Sequence, residues 1–170
     1  GRLRDAFRQL AEGLRALHVA GYVHRDLKPS NVRVTTEGRV VLLDFGLATS
    51  LDGGESAQDM AGLGTVAYMA PEQVNEGAVS AKADWYAFGV CLYEAVTGLL
   101  PLSASSALEL LVMKQKSRPL PPSAYTSSVG RDLERLCLEL LEVDPQRRAG
   151  GNEVLSVLAP RGQARASLPA

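Results

Sequence analysis

Residues 83–97 restrict how this chain can fold more than any other stretch, because they are apolar on nearly every face of a helix. Gly98 follows them and is a typical residue for ending a helix. A helix that is apolar all round is a buried one. In a chain of 170 residues, it predicts a central element around which the other elements pack. The longest unbroken apolar run, residues 85–93, is shorter than the roughly 20 residues needed to span a bilayer.

Further helices are predicted on both sides of this stretch. Apolar residues recur at helical spacings of three and four within four segments, which are 3–17, 105–116, 133–141 and 152–158. In the segment 105–116, the apolar side is predicted to consist of Leu108, Leu111 and Val112. The segment 22–30 shows no period and is predicted to be a loop.

Two β-branched runs, residues 32–34 and 40–43, are separated by five residues, which predicts a β-hairpin. From residue 44 to about residue 71 no period is sustained, and a loop of that length is typically functional or disordered. The expected fold class is mainly α (α+β overall), with a helical bundle around the buried helix and a small hairpin.

The composition is that of one ordinary globular domain, with 46% hydrophobic and 22% charged residues. The net charge of −1 provides no positive field for nucleic acid or an anionic membrane. Cys91 and Cys137 lie on apolar helix faces and are expected to be unreactive core thiols. His18 is expected to be a core residue with its hydrogen bonds satisfied, and two histidines are too few for a histidine-rich metal site. The expected location is cytoplasmic.

Three short motifs carry the chemistry. The first, residues 24–31, reads His-Arg-Asp-Leu-Lys-Pro-Ser-Asn and precedes the hairpin. The second, residues 44–46, reads Asp-Phe-Gly and follows it. The third, residues 64–72, reads Gly-Thr-Val-Ala-Tyr-Met-Ala-Pro-Glu. In this order they resemble the catalytic loop, the metal-binding motif and the end of the activation segment of eukaryotic-type serine/threonine protein kinases.

The resemblance covers residues 1–159 and concerns only the C-terminal lobe of a kinase domain, whereas 160–170 is expected to be a disordered tail. It implies ATP and Mg²⁺ as cofactors and protein substrates with serine or threonine acceptors. The N-terminal lobe that normally covers the nucleotide is not recognisable in the chain. We therefore expect the missing lobe to be a partner of this one, and the 170 residues alone to have trace activity at most.

The resemblance assigns the catalytic roles to four residues. Asp26 is the catalytic base, and Lys28 contacts the transferring phosphoryl group. Asn31 and Asp44 are the magnesium ligands, because hard oxygen ligands suit this ion. A hairpin between these two brings a residue just before its first strand close to one just after its second. Arg33 stands where the family has an apolar residue under the adenine, so it is a candidate nucleotide-binding residue whose effect on affinity stays open.

Other matches concern specificity and regulation. Lys28 together with Thr65 resembles the serine/threonine class rather than the tyrosine kinases. Arg25, beside Asp26, marks enzymes that are gated by phosphorylation of the activation segment. The candidate phosphorylation sites, none of them singled out, are Thr49, Ser50 and Ser56.

The remaining matches are structural. His24, Phe45 and Gly46 belong to the motifs that align the two lobes, and Asp84 matches an acid that accepts hydrogen bonds from the catalytic-loop backbone. Glu72 and Arg148 match an ion pair that fixes the activation segment. The spacing from Asp144-Pro145 selects Arg148 over its neighbour Arg147.

Alternative functions stay open at this stage. The second hypothesis is a non-catalytic, pseudokinase-like interaction module made of this lobe alone. A small-molecule phosphotransferase is disfavoured, since residues 64–72 resemble a peptide-docking segment. Residues 62–67 also fit a loose dinucleotide-binding pattern, but no strand precedes them, and such a lone match is weak.

Overall fold

The computed structural model describes residues 1–43, 49–50, 63–74 and 80–160. These residues are mainly helical, which confirms the predicted class, and they include two small antiparallel sheets. In chain order the elements are α1 (Arg2–Val19), β1 (Tyr22–Val23), β2 (Val32–Val34), β3 (Val40–Leu42), β4 (Thr49–Ser50), α2 (Leu63–Val66), α3 (Ala81–Thr97), α4 (Ala107–Lys116), α5 (Arg131–Leu140) and α6 (Gly151–Leu158). The predicted tail from residue 161 onward lies outside the described residues.

Helix α3 is the predicted central helix, and eleven consecutive residues, 83–93, are buried in it. Ser80 caps its start, because the Ser80 side chain accepts a hydrogen bond from the Lys82 amide. The helix ends at Gly98, whose φ of 75° lies in the left-handed region that glycine adopts without strain. The sequence prediction of a buried helix that stops at this glycine is confirmed.

The other predicted helices pack on α3 through their apolar faces. α1 buries Leu10, Ala11 and Leu14, and its Phe7 meets Phe88 of α3 edge to face at 5.4 Å between ring centroids. α5 approaches α3 so closely at Gly89 that a Cβ there would lie 2.6 Å from the Cβ of Leu140. Glycine at position 89 is therefore a packing requirement. α6 contacts α1 and α5 and completes the bundle.

Helix α4 is present, and Leu111 packs as predicted, partly buried against a small apolar cluster, but the predicted apolar side is wrong for Leu108 and Val112. Leu108 and Val112 are 73% and 46% exposed, whereas the buried residues of this helix are Leu110 and Lys114. The reason is that α4 packs against the segment that follows α2, where Leu110 joins a small separate apolar cluster with Val66 and Ala67. Lys114 therefore faces inward and Leu108 faces outward.

The hairpin forms as predicted from β2 and β3, with Arg33 opposite Val41 and a five-residue connection, 35–39. The segment 22–30 was predicted to be a loop, but its first residues form β1, which pairs with β4. That prediction is wrong for residues 22 and 23, because the partner strand lies 26 residues or more away in sequence and local periodicity does not report it. Residues 29–31 form a short 3₁₀ turn.

Both cysteines are buried, as predicted. Burial raises the pKa of the Cys91 thiol, and it raises the pKa of Cys137 to about 12, so both thiols stay protonated. In the described part of the chain, every helix is too short or too polar to cross a membrane.

Candidate active site

The catalytic loop, residues 24–31, runs from the end of β1 to the start of β2 and is held by the buried carboxylate of Asp84. This carboxylate accepts hydrogen bonds from the backbone amides of His24 and Arg25, each at 2.8 Å, and it lies 2.7 Å from Nε2 of His18. Arg25 has a φ of 69°, a left-handed conformation that costs a non-glycine residue about 1 kcal/mol or more. Asp84 therefore stabilises a backbone conformation that the local sequence disfavours.

His24 is fully buried beneath this loop. Its Nδ1 accepts a hydrogen bond from the Asp26 amide at 3.3 Å, and its Nε2 lies 3.1 Å from the carbonyl oxygen of Leu43. Since a carbonyl accepts and an amide donates, this pattern assigns the imidazole proton to Nε2. The ring thus links the catalytic loop to the end of β3.

Four polar side chains meet at the surface of the loop. The ammonium group of Lys28 lies 3.0 Å and 2.7 Å from the two carboxylate oxygens of Asp26, and 3.3 Å from Oγ1 of Thr65. Nδ2 of Asn31 donates to Oδ2 of Asp26 at 3.0 Å and to its backbone carbonyl at 2.8 Å. The side chains of Asp26 and Lys28 are 12% and 24% exposed, so the group is sheltered but reachable. The fold therefore brings three predicted residues of the catalytic loop together with Thr65, which is more than 30 residues away in sequence.

Asn31 is the described member of the predicted magnesium pair. Because its Nδ2 is engaged by Asp26, the carboxamide oxygen is left as a hard ligand of the kind Mg²⁺ prefers. The amide of Leu43 donates to the Asn31 carbonyl at 2.8 Å, so β3 ends beside it. Asp44 lies outside the described residues, and among the described ones no group of three or more His, Cys, Asp or Glu side chains is placed to hold a metal ion.

Arg33 is exposed on the hairpin. Its neighbours Val32 and Val34 line an apolar cavity of about 370 Å³ that also includes Phe7, Leu10 and Cys91. Because side chains alternate along a strand, Arg33 points to the opposite face of the hairpin. Its role toward the nucleotide stays a prediction.

The segment 63–74 carries Thr65 and is bonded to α3 through Tyr68. α2 is followed by a 3₁₀ turn, Pro71–Val74, in which the Gln73 side chain accepts a hydrogen bond from the Ala70 amide at 2.7 Å. The Tyr68 hydroxyl donates to Glu94 at 2.7 Å, and burial together with this carboxylate raises the pKa of Tyr68. The segment is thus fixed to the central helix.

Arg148, which lies in the loop before α6, holds the same segment through Glu72. It forms a two-pronged ion pair with Glu72, with N···O distances of 2.5 Å and 2.8 Å. Its other three N–H groups donate to backbone carbonyls, those of Lys82, Glu142 and Val143. All five guanidinium donors are used and the Arg148 side chain is fully buried, whereas Arg147 is exposed.

Several predicted residues lie outside the described part of the chain, namely Asp44, Phe45, Gly46 and Ser56. The backbones of Thr49 and Ser50 form β4, but their side chains are not described. Their predicted roles stay predictions.

Sequence reasoning missed two contributors, Lys114 and Gln115, whose side chains donate to backbone carbonyls of residues 66–71. The available signal was the spacing of Lys114, four residues after the buried Leu110 and hence on the same helical face. The contact of His18 with Asp84 was missed as well, although His18 is largely buried and hydrogen-bonded, as expected.

Comparison with known proteins gives one consistent result. A family model described as the protein kinase domain matches residues 1–157. A probable serine/threonine-protein kinase of Clostridium perfringens, CPE1738, is 34% identical over 140 residues, which are 82% of this chain and 20% of that protein. The serine/threonine-protein kinase PknB of Mycobacterium tuberculosis is 34% identical over 150 residues, 85% of this chain and 24% of that protein.

A third relative is the probable serine/threonine-protein kinase CE0033 of Corynebacterium efficiens, 38% identical over 122 residues. The match covers 71% of this chain and 18% of that protein. The chain thus spans about a fifth to a quarter of the length of these relatives.

Proposed function

The chain belongs to the protein kinase family, and from this membership we propose that it is the catalytic-loop part of a serine/threonine protein kinase. The proposed reaction transfers the γ-phosphoryl group of ATP to serine or threonine hydroxyls of protein substrates. The observation that carries the proposal is the cluster of Asp26, Lys28, Asn31 and Thr65, joined by distances of 2.7–3.3 Å.

In the proposed mechanism, the carboxylate of Asp26 accepts the proton of the acceptor hydroxyl as the hydroxyl oxygen attacks the γ-phosphorus. The new O–P bond forms while the bond to the leaving ADP oxygen breaks. Asn31 orients the carboxylate from one side, and Lys28 contacts both carboxylate oxygens from the other. The Lys28 ammonium supplies positive charge next to the position where charge develops on the phosphoryl oxygens.

Asn31 and, by the family resemblance, Asp44 would hold Mg²⁺. The free carboxamide oxygen of Asn31 fits this ion. When bound, magnesium neutralises charge on the phosphate oxygens.

Specificity for serine or threonine is proposed from the contact between Lys28 and Thr65. This contact joins the catalytic loop to the segment 63–74, and so places the proposed acceptor-binding segment beside Asp26. The three relatives, one named a serine/threonine-protein kinase and two named probable serine/threonine-protein kinases, support the same assignment.

Control by phosphorylation is the further proposal for Arg25. Its guanidinium would pair with a phosphate on Thr49, Ser50 or Ser56, and such a charge-assisted contact orders a loop.

The test is transfer from magnesium-ATP by the longest reading frame that contains this chain. The kinase proposal predicts saturable nucleotide binding and label on serine and threonine, but not tyrosine, of a peptide library. The 170 residues measured in parallel should give trace transfer at most. A longer protein that folds but binds no magnesium-ATP would contradict the proposal and favour a non-catalytic interaction module.

A further inference from the structure

Lys114 is a buried lysine that the proposed chemistry does not use. It lies in the last turn of α4 and is 2% exposed. Its ammonium group donates to the backbone carbonyls of Val66, Ala67 and Met69 at 2.9, 2.7 and 2.6 Å. The three N–H donors of a lysine are thereby matched by three acceptors on one short stretch of backbone.

The described residues form several ion pairs, but none of these pairs includes Lys114. No carboxylate among them therefore compensates the burial of its charge. Burial lowers the pKa of Lys114 to about 7. The groups that face it are the Tyr86 ring, 5.1 Å from the ammonium nitrogen, and Arg148, which lies 5.0 Å from the same ring and is paired with Glu72. An apolar side chain in this place would bury no charge, but it would leave the carbonyls of Val66, Ala67 and Met69 without this donor. The lysine therefore serves to hold this stretch of backbone.

The backbone that Lys114 holds leads directly to the catalytic cluster. Val66 follows Thr65, whose hydroxyl lies 3.3 Å from the Lys28 ammonium. The next residue on α4, Gln115, donates to the carbonyl of Pro71 at 2.7 Å. The last turn of α4 therefore grips residues 66–71 at four carbonyls.

We propose that Lys114 and Gln115 are positioning residues for the protein substrate, because they hold the backbone of residues 66–71 in a fixed position relative to Asp26 and Lys28. The inference rests on the proposed kinase function and deepens it. In this proposal, α4 determines the position of the acceptor hydroxyl, whereas nucleotide binding and the chemical step belong to the catalytic loop.

The structural half of this proposal is tested on the 170-residue chain by amide hydrogen exchange. Lys114→Met keeps an unbranched side chain and removes the donors, and Lys116→Met is the matched control, since Lys116 is exposed in the same turn. Lys114→Met should speed exchange of the Tyr68 and Met69 amides on the order of tenfold relative to the control, and leave α5 and α6 unchanged. Equal exchange in the two variants would overturn the proposal.

The functional half is tested on the longest reading frame by steady-state kinetics. Lys114→Met should raise KM for the acceptor peptide on the order of tenfold, with KM for ATP and kcat within about twofold of the native values. Gln115→Ala, at an exposed position, removes the hydrogen bond to the Pro71 carbonyl and should raise the acceptor KM by a smaller factor. This variant carries the test if Lys114→Met does not fold.

Loss of kcat together with a raised KM for ATP in Lys114→Met would show a general structural role and overturn the positioning assignment. Acceptor KM values equal to that of Lys116→Met in both variants would do the same. The failure of the kinase proposal is distinguishable, because it appears as absent transfer in the native protein, whatever the exchange data show.

Discussion

Replacing Arg148 by methionine should destabilise the chain by about 3–5 kcal/mol, the range for breaking a buried ion pair from one side. The size follows from the contacts that are lost. The fully buried guanidinium uses all five donors, and its removal leaves the Glu72 carboxylate, 24% exposed, without its cation. Three carbonyl oxygens lose a donor in addition. Since small domains have about 5–15 kcal/mol in total, this loss is a large part of the stability.

The assay is equilibrium unfolding in urea, followed by the fluorescence of Trp85, the single tryptophan. Trp85 packs against Gly151 at the start of α6, close in sequence to the substituted residue, so it reports on the affected region. The matched control is Arg147→Met, an exposed neighbour whose substitution should change the free energy of unfolding by no more than about 0.5 kcal/mol.

A milder variant keeps the test informative if Arg148→Met does not fold. Glu72→Gln retains hydrogen-bonding atoms but removes the negative charge, and should cost about 1–3 kcal/mol. If Arg148→Met and Arg147→Met unfold within about 0.5 kcal/mol of each other, the burial and the contacts of Arg148 do not have the energetic role described here.

Gly89→Ala should destabilise the chain by about 1–3 kcal/mol, because its Cβ would collide with α5. Gly13→Ala, at an open helical position, should stabilise it by about 0.5–1 kcal/mol. Urea unfolding should therefore give changes of opposite sign in the free energy of unfolding, and changes of the same sign would contradict the packing account. Asp84→Asn should cost about 1–3 kcal/mol and speed exchange of the Arg25 amide, and unchanged exchange would refute its role in holding the left-handed turn. Burial lowers the pKa of Lys114 to about 7, while the pKa of a lysine in an unfolded chain is about 10.4. At pH values between these two pKa values, the unfolded chain therefore binds more protons than the folded one. The free energy of unfolding should therefore rise from about pH 7 to 10 relative to Lys114→Met, by at most about 4 kcal/mol because the carbonyl acceptors oppose the shift; parallel pH profiles would contradict this.

The sequence was sufficient for the features that depend on local pattern. Residues 83–97 predicted the central helix, since a run that is apolar on every face has no stable place outside a core. The motif at residues 24–31 singled out Asp26, Lys28 and Asn31 within one loop, and the structure brings their side chains together. Motif spacing is informative here because the loop and the hairpin are contiguous in the chain.

Features that depend on distant partners were not predictable. The pairing of β1 with β4 joins two-residue strands, which are too short to show a period. The inward face of α4 was misassigned, because the apolar pattern of Leu108 and Val112 is weak and the helix packs on an irregular segment rather than on the main core. A buried lysine that satisfies backbone carbonyls cannot be recognised before that backbone is placed.

The central claim is that Asp26 is the base of a phosphoryl transfer, and its most direct test is the rate of transfer by Asp26→Asn in the longest reading frame that contains this chain. The account predicts a kcat about 10²–10⁴-fold below that of the native protein, the range for losing a general base, with ATP affinity preserved. Asp5→Asn, the same change at an exposed position on α1, should leave kcat unaltered. Transfer by Asp26→Asn at the native rate would contradict the account.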